Sequence, residues 1–585
     1  MMARGLKHLT TAKGALLVIL GLALGLRLMG IQFGKPFRYH PDEIKLVVQA
    51  GYLLQPGGRS VETLFMLGSY PPLYTYVLAG LYGVYGLFGL ALRVFPTVEA
   101  LKDYYYVGTF TFHVMGRLLT AILGTSTVLL VYFVGLKGFN RRVGLLAALF
   151  CAVVFLHVRN SHYLTVDVPA TFMATAAFLC AVAVSQRGAW PEVLCGGLLT
   201  GLAAATKYNA GMVAVPFLLA FFVRSVEQGE GIVSALRRPQ LYVGLATVVV
   251  GFVLGCPLVV LDPARFLRGL FAYGDLQSQG KVGVGGGFFA YFTARMSPGY
   301  GVFSHNSVPA AVGVLTTVLG SVGLIRMLLS RRGTSWLVVS FVVPYYAVIG
   351  AVSYKTIRQF LPLVPFFVLA AGVVLDEVVG MIRGRRWVGR LVLAAGVLGV
   401  VVPELYKDVR WVLAMRGPDP RTLAKAWIET HVSEGTVIAT EKYGPPLLDK
   451  DDQHASLRLR SGLYRRVYQV VDSQAQLSFG YRGEPDSLEP IQHYLARRQA
   501  EYFVSDSFTR GSFFMELSAR KFPRLVAHRR AFYAWLDSEA QEVARFTPHT
   551  NWADLFPTIV VYRLPTGGDT AEAVRGGTGK TPAAP

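Results

Sequence analysis

The chain has 585 residues, of which 53% are hydrophobic and only 16% charged, a balance too apolar for a soluble globular protein. Its formal net charge of +22 would suit nucleic acid, but the basic residues fall in short clusters between apolar runs, as in the cytoplasmic loops of a polytopic membrane protein. The four cysteines, Cys151, Cys180, Cys195 and Cys256, all lie in or beside such runs, so no disulfide framework is implied in the polar C-terminal third.

Residues 14–33 form the first expected span. Arg4, Lys7 and Lys13 precede it and place its start in the cytoplasm, and no small-residue cleavage site ends it, so it reads as a retained span. Arg27 sits in its outer third, able to snorkel or to meet an acid. Residues 34–110 then lie outside. Within them Tyr70-Pro71-Pro72 opens an apolar segment that runs to Leu92 and carries Tyr74, Tyr76, Tyr82, Tyr85 and Phe88. It is long enough to span, yet such aromatic density suits a helix lying in the interface.

With 72–92 on the surface, the remaining spans fall near 112–136, 143–158, 168–186, 192–206, 210–224, 240–261, 308–329, 335–353, 358–378 and 388–404. Every inside loop is then basic: Lys137/Arg141/Arg142, Arg187, Arg224/Arg237/Arg238, Arg326/Arg331/Arg332 and Arg383/Arg385/Arg386/Arg390. Were 72–92 to cross the bilayer, those clusters would move outside. The expected architecture is a polytopic α-helical membrane domain over 1–404 with about eleven spans.

That parity places residues 405–565 outside, where polar and apolar segments alternate. Asp419-Pro420 opens a helix to about Val432, and a strand follows over Thr436–Thr440. A second such unit is Leu488–Arg498 with Glu501–Ser505, then a helix over Ala531–Val543 and a closing strand Thr558–Arg563. These units predict a small α/β domain. The tail 566–585, rich in Gly, Thr, Ala and Pro, reads as disordered.

The residues able to carry chemistry gather on the outer face. His40-Pro41-Asp42-Glu43 opens the first outer loop. The next outer loop holds Ser161-His162-Tyr163 and ends on Asp167-Val168-Pro169 at the mouth of a span. Lys207-Tyr208-Asn209 and Lys355-Thr356-Ile357-Arg358-Gln359 form two more outer turns, and Arg117 starts the second span at the same level. Carboxylates suit a general base for a hydroxyl, and Lys and Arg suit a phosphate leaving group. Plainer roles stand beside these: a helix cap for Asp167, interfacial anchoring for Lys207 and Arg117, snorkelling for Lys355 and Arg358, and turn stabilisation rather than metal binding for His40 and His162. A divalent cation is left open, and no other cofactor is indicated. The glycine run 280–287 lacks the spacing of a nucleotide-binding loop and reads as a mobile outer segment.

The H-P-D-E of residues 40–43, followed by Tyr70-Pro71-Pro72-Leu73-Tyr74, resembles the lipid-carrier-dependent glycosyltransferases of the GT-C superfamily. These include glycosyltransferase family 39, the protein O-mannosyltransferases, and the aminoarabinose transferases. The stretch from Ser161 to Pro169 is similar to their second acidic loop, and Thr206-Lys207-Tyr208 to their short basic turn. The resemblance implies a GT-C fold and a polyprenyl-phosphate-linked sugar as donor, with a protein, lipid or glycan as acceptor and no nucleic acid. Asp42 becomes the expected base, with Glu43 in support and Asp167 steadying the site. Lys207 and Arg358, with Lys355 and Arg117, face the lipid phosphate, while His40, His162, Tyr163 and Tyr208 border the substrates. Direct displacement would invert the anomeric configuration. The site and the C-terminal domain are expected on the extracytoplasmic face of the plasma membrane. The alternative is a transporter or flippase of a lipid-linked sugar, which would place its polar residues near the bilayer midplane.

Overall fold

In a computed structural model, the described residues are 2–55, 71–279, 287–293, 307–353, 355–382, 386–472, 489–550 and 555–565. The glycine run over 280–286 and the tail after 565 lie outside them. The chain starts with a long helix, α1 (Met2–Leu28), and most of the apolar runs that follow are helical. Seven helices among the described residues are long and apolar enough to cross a membrane, or eight if a bent pair counts as one span. This is the helical body of an integral membrane protein. One of the seven is Leu73–Ala91, the segment expected along the interface. The runs expected to span near 192–206, 240–261 and 308–329 give shorter helices, Trp190–Thr206, Pro239–Gly255 and Val314–Leu328.

Small residues set the tightest helix packing. Gly197 and Gly201 of Trp190–Thr206 lie against Gly244 and Gly251 of Pro239–Gly255, where a side chain would strike the facing backbone. Apolar attraction between helices is weak in lipid, so close backbone approach of this kind carries much of the association. The interior of the bundle is filled by large apolar side chains such as Phe150, Phe178, Phe217, Phe341 and Phe366, with Phe178 edge-on to Phe366 at 4.7 Å.

Two of the broken spans share one acid. The run 143–158 is two helices, Arg141–Val153 and Phe155–Ser161, bent by 57° at Val154. Behind the bend the Phe155 N–H donates to the carboxylate of Glu404 at 3.1 Å, so a side chain replaces the lost helical acceptor. The run 308–329 breaks at Gly313, whose φ of +95° suits glycine. A Cβ there would lie 2.7 Å from Glu404 Oε1, so one carboxylate stands at both breaks. Glu404 belongs to α4 (Arg386–Ala414 — α2 is Pro41–Leu53 and α3 is Asp167–Gln186). The change of composition at 404/405 falls within α4, which continues for ten residues beyond Glu404.

The C-terminal part is a six-stranded sheet in the order β2-β3-β1-β4-β6-β5. Its strands are β1 (Val437–Thr440), β2 (Leu448–Asp449), β3 (Val467–Asp472), β4 (Tyr502–Asp506), β5 (Gln541–Phe546) and β6 (Ile559–Arg563). β1 is parallel to β3 and β4, with Ile438 opposite Tyr502, whereas β6 is antiparallel to β4 with Val561 opposite Val504. Alternation along the strands buries both faces. Ile438, Val504 and Val561 pack under α5 (Pro420–His431), while Ala439, Phe503 and Val560 pack under Ile491–Arg497 and Pro523–Glu539. The helix expected over 531–543 instead starts at Pro523 and stops at Glu539, and Gln541–Val543 begins β5. Strand pairing with β6 overrides the helical pattern there.

This sheet is docked onto the chain just before the H-P-D-E sequence. Arg421 of α5 is clamped by Asp419 at 2.6 Å and lies 3.8 Å over the ring of Tyr39, whose hydroxyl bonds to Thr422 at 2.5 Å. Further out, Tyr106 stacks on His454 with ring centroids 3.7 Å apart.

Candidate active site

His40 is the extended residue before α2, and Pro41 occupies the first helical position, where its missing N–H is no loss. Asp42 and Glu43 therefore fall in the first turn, and neighbouring helical residues cannot face the same way. They meet different partners.

Glu43 points inward and is fully enclosed. Arg117 grips it with two parallel bonds, Nε to Oε1 at 2.8 Å and Nη2 to Oε2 at 2.6 Å, and the Leu164 N–H donates to Oε1 at 2.9 Å. Burial alone would raise its pKa, but the Arg117 charge outweighs it and holds the carboxyl below its ordinary value. The remaining Arg117 donor reaches the carbonyls of Ile31 and Phe33 at 2.9 and 2.7 Å. Arg117 is thus the buried partner of Glu43, with its guanidinium committed within the protein and not presented to a lipid phosphate.

Asp42 turns the other way, toward Arg358, whose Nη1 donates to Oδ2. Burial resists ionisation of Asp42, but Arg358 and, to a lesser degree, His40 and Lys45 hold the carboxyl well below the usual carboxylate range. Burial also lowers His40 below its ordinary value. Its ring lies against Tyr163 with centroids 4.6 Å apart, so these two expected substrate-border residues do come together beside Asp42.

Asp167 opens α3 and makes the third pair, accepting from Lys207 Nζ at 2.7 Å with both side chains buried. Its Oδ2 is enclosed without a hydrogen-bond partner. Lys207 ends the preceding helix, and the turn after it contains Tyr208, which packs on Tyr273 at 5.7 Å, and Asn209. Asn209 Nδ2 donates to the Tyr345 hydroxyl at 2.9 Å, and that hydroxyl donates to the Gln359 carbonyl at 3.0 Å. Tyr291 donates to Gln359 Oε1 at 2.5 Å. A short 3₁₀ helix, Ile357–Leu363, closed by a Thr356–Gln359 capping box, therefore ties the Lys207 turn to the Arg358 that holds Asp42.

Two expected members take other duties. Lys355 donates to the carbonyls of Ile349, Gly350 and Val352 at 3.1, 2.7 and 2.7 Å, which caps the end of helix Gly333–Ala351 and occupies the ammonium away from a phosphate. His162 lies between the carbonyls of Met29 and Val158 at 2.8 and 3.0 Å, its single N–H able to donate to one of them, and packs the end of α1 against the broken helix. Among the described residues, no group of three or more His, Cys, Asp or Glu side chains converges in a way that could hold a metal ion. Gln359 lies in an outer turn that the sequence marks, whereas Tyr345 and Tyr291 carry no distinguishing signal there, since Tyr345 is followed directly by a second phenol, Tyr346. A cleft of about 560 Å³ lies elsewhere, between Val314–Leu328 and α4, and is lined by Thr316, Glu404 and Lys407 among apolar residues.

The family model for dolichyl-phosphate-mannose-protein mannosyltransferases matches residues 59–255. That stretch contains Arg117, Asp167 and Lys207, with Asp42 and Arg358 outside it. No match was found among curated protein sequences. In fold, the chain is similar to ArnT from Cupriavidus metallidurans bound to undecaprenyl phosphate, at a TM-score of 0.50 and 13% identity over 94% of this chain and 98% of that one. It is also similar to the oligosaccharyltransferase AglB from Archaeoglobus fulgidus in complex with an inhibitory peptide and a dolichol-phosphate. That likeness has a TM-score of 0.50 and 14% identity over 88% of this chain and 72% of that one.

Proposed function

We propose that this chain is a membrane glycosyltransferase that moves a sugar from a polyprenyl-phosphate carrier to an acceptor hydroxyl on the extracytoplasmic face, a reading supported by the mannosyltransferase family model over residues 59–255 and by the likeness in fold to ArnT. The observation that carries this reading is the meeting of Asp42, from the first loop, with Arg358, from a loop 316 residues later. A carboxylate and a guanidinium at one partly open position are what such a transfer needs: an acceptor for a hydroxyl proton and a donor for a phosphate oxygen.

Asp42 takes the proton of the acceptor hydroxyl while its oxygen attacks the anomeric carbon. The bond from that carbon to the carrier phosphate breaks, its electron pair stays on the phosphate oxygen, and the proton passes from Asp42 to water. Arg358 steadies the growing phosphate charge. The buried pair of Asp167 and Lys207, with one Asp167 oxygen unpartnered, supports the reading that Asp167 steadies the site. The outer position is the reading that keeps the basic loops inside, with Leu73–Ala91 lying along the interface although it is long enough to cross, and a lipid-linked donor suits a face without nucleotide sugars.

Detergent-purified Asp42→Asn protein should release polyprenyl phosphate from a labelled lipid-linked sugar about 10²–10⁴-fold more slowly, with unchanged thermal stability. Near-normal turnover would overturn the assignment.

A further inference from the structure

We infer that Arg358 exchanges partners during the reaction: it pairs with Asp42, as here, and turns to the donor's phosphate when the lipid-linked sugar binds, freeing Asp42 to take the acceptor's proton. This rests on the function proposed above and assigns the control of its base.

Three ion pairs meet around the site, and their enclosure sets one apart. Glu43 and Arg117 are 0% and 1% exposed, and Asp167 and Lys207 are 1% and 5%. Neither pair can part without stranding a charge away from water. Asp42 and Arg358 are 33% and 22% exposed. Water screens and weakens such a pair, so a better anion can displace one of its members.

The two groups also hinder each other while paired. A carboxylate pressed against a guanidinium is a poor proton acceptor, and a guanidinium held by a carboxylate is poorly available to phosphate. Exchange removes both obstacles at once. A phosphate offers the planar guanidinium two parallel bonds, and its charge grows as the sugar leaves, so the new pair strengthens along the reaction.

The backbone that carries Arg358 is held in place, so the exchange is one of its side chain. The helix Ile357–Leu363 is pinned by Tyr345 to the Gln359 carbonyl at 3.0 Å and by Tyr291 to its side chain at 2.5 Å. Around Asp42, His40 and Lys45 remain when Arg358 turns away. Arg117 stays with Glu43, so the buried pair keeps α2 in place while the open pair changes.

Undecaprenyl phosphate in detergent micelles is the probe, with its affinity measured on the full chain for wild type, Asp42→Asn, Arg358→Gln and the double variant. Exchange predicts that removing the competing carboxylate tightens binding about fivefold, while Arg358→Gln weakens it about tenfold or more. In the double variant the gain from Asp42→Asn should vanish. Wild-type or weaker affinity in Asp42→Asn, wild-type affinity in Arg358→Gln, or a gain that persists in the double variant would each overturn the exchange. Asp42→Ser repeats the test should the amide variant misfold. Turnover separates the two readings. Lost turnover with unchanged affinity refutes the exchange alone, whereas retained turnover in Asp42→Asn refutes the base on which it rests.

Discussion

Asp42 and Glu43 are chemically near-identical neighbours, and their surroundings give them different work. Glu43 is sealed against Arg117, so it supports the loop and is poorly placed to touch a substrate. Removing one member of a buried pair strands the other, at a cost of about 3–5 kcal/mol. Glu43→Gln should therefore lower the thermal midpoint of the purified protein markedly, while Asp42→Asn leaves it nearly unchanged. Similar midpoints in the two variants would show that the Glu43–Arg117 pair does not carry the loop. Asp167 is intermediate: buried like Glu43, yet with one oxygen unsatisfied. The rule that adjacent helical residues diverge already separates Asp42 from Glu43 in the sequence. It cannot say which faces inward, because that depends on where Arg117 arrives.

At the scale of elements, the parallel strands β1 and β4 end at a pair of enclosed acids. Glu441 follows β1 and accepts from the Ser505 hydroxyl at 3.0 Å, the Asp506 N–H at 2.7 Å and the Tyr533 hydroxyl. Burial, reinforced by the charge of Asp506, pushes its pKa up to about 8 from an ordinary 4.5. The folded protein thus holds this proton more tightly than the unfolded chain. The stability it contributes is complete below about pH 4.5 and is lost as pH rises through about 8. Thermal unfolding from pH 5 to pH 8 should show a decline on the order of a few kcal/mol that Glu441→Gln largely removes. An equally steep decline in the variant would assign the effect to other groups. Asp419-Pro420 marks α5 from the sequence because a cap and a proline are local signals. The exchange of helix for strand after Glu539 is not local, since it answers to β6 some residues later.

The whole molecule joins an apolar helical body to an α/β sheet, and its sidedness decides which substrates it can meet. With the native cysteines replaced, Arg390→Cys should be shielded from an impermeant thiol reagent in intact cells, and Asp451→Cys should react. The reverse pattern would place the sheet and the Asp42 site in the cytoplasm and overturn the proposed donor.

Composition and hydropathy by themselves determine that this chain lies in a membrane, because transfer of apolar surface is additive along the sequence and needs no knowledge of the fold. The H-P-D-E sequence and the acidic mouth of α3 are legible for the same reason: carboxylates are conspicuous where charge is scarce. Pairing is not additive. Glu43 finds Arg117 across 74 positions, Asp167 finds Lys207 across 40, and Asp42 finds Arg358 across 316. Each choice depends on which helices pack together. Tertiary structure alone could therefore turn Arg117 and Lys355 from expected phosphate ligands into internal partners, break two spans at Glu404, and bring Arg421 of α5 onto Tyr39. Charges in a protein interior settle with the nearest opposite charge in space, and distance along the chain does not specify it.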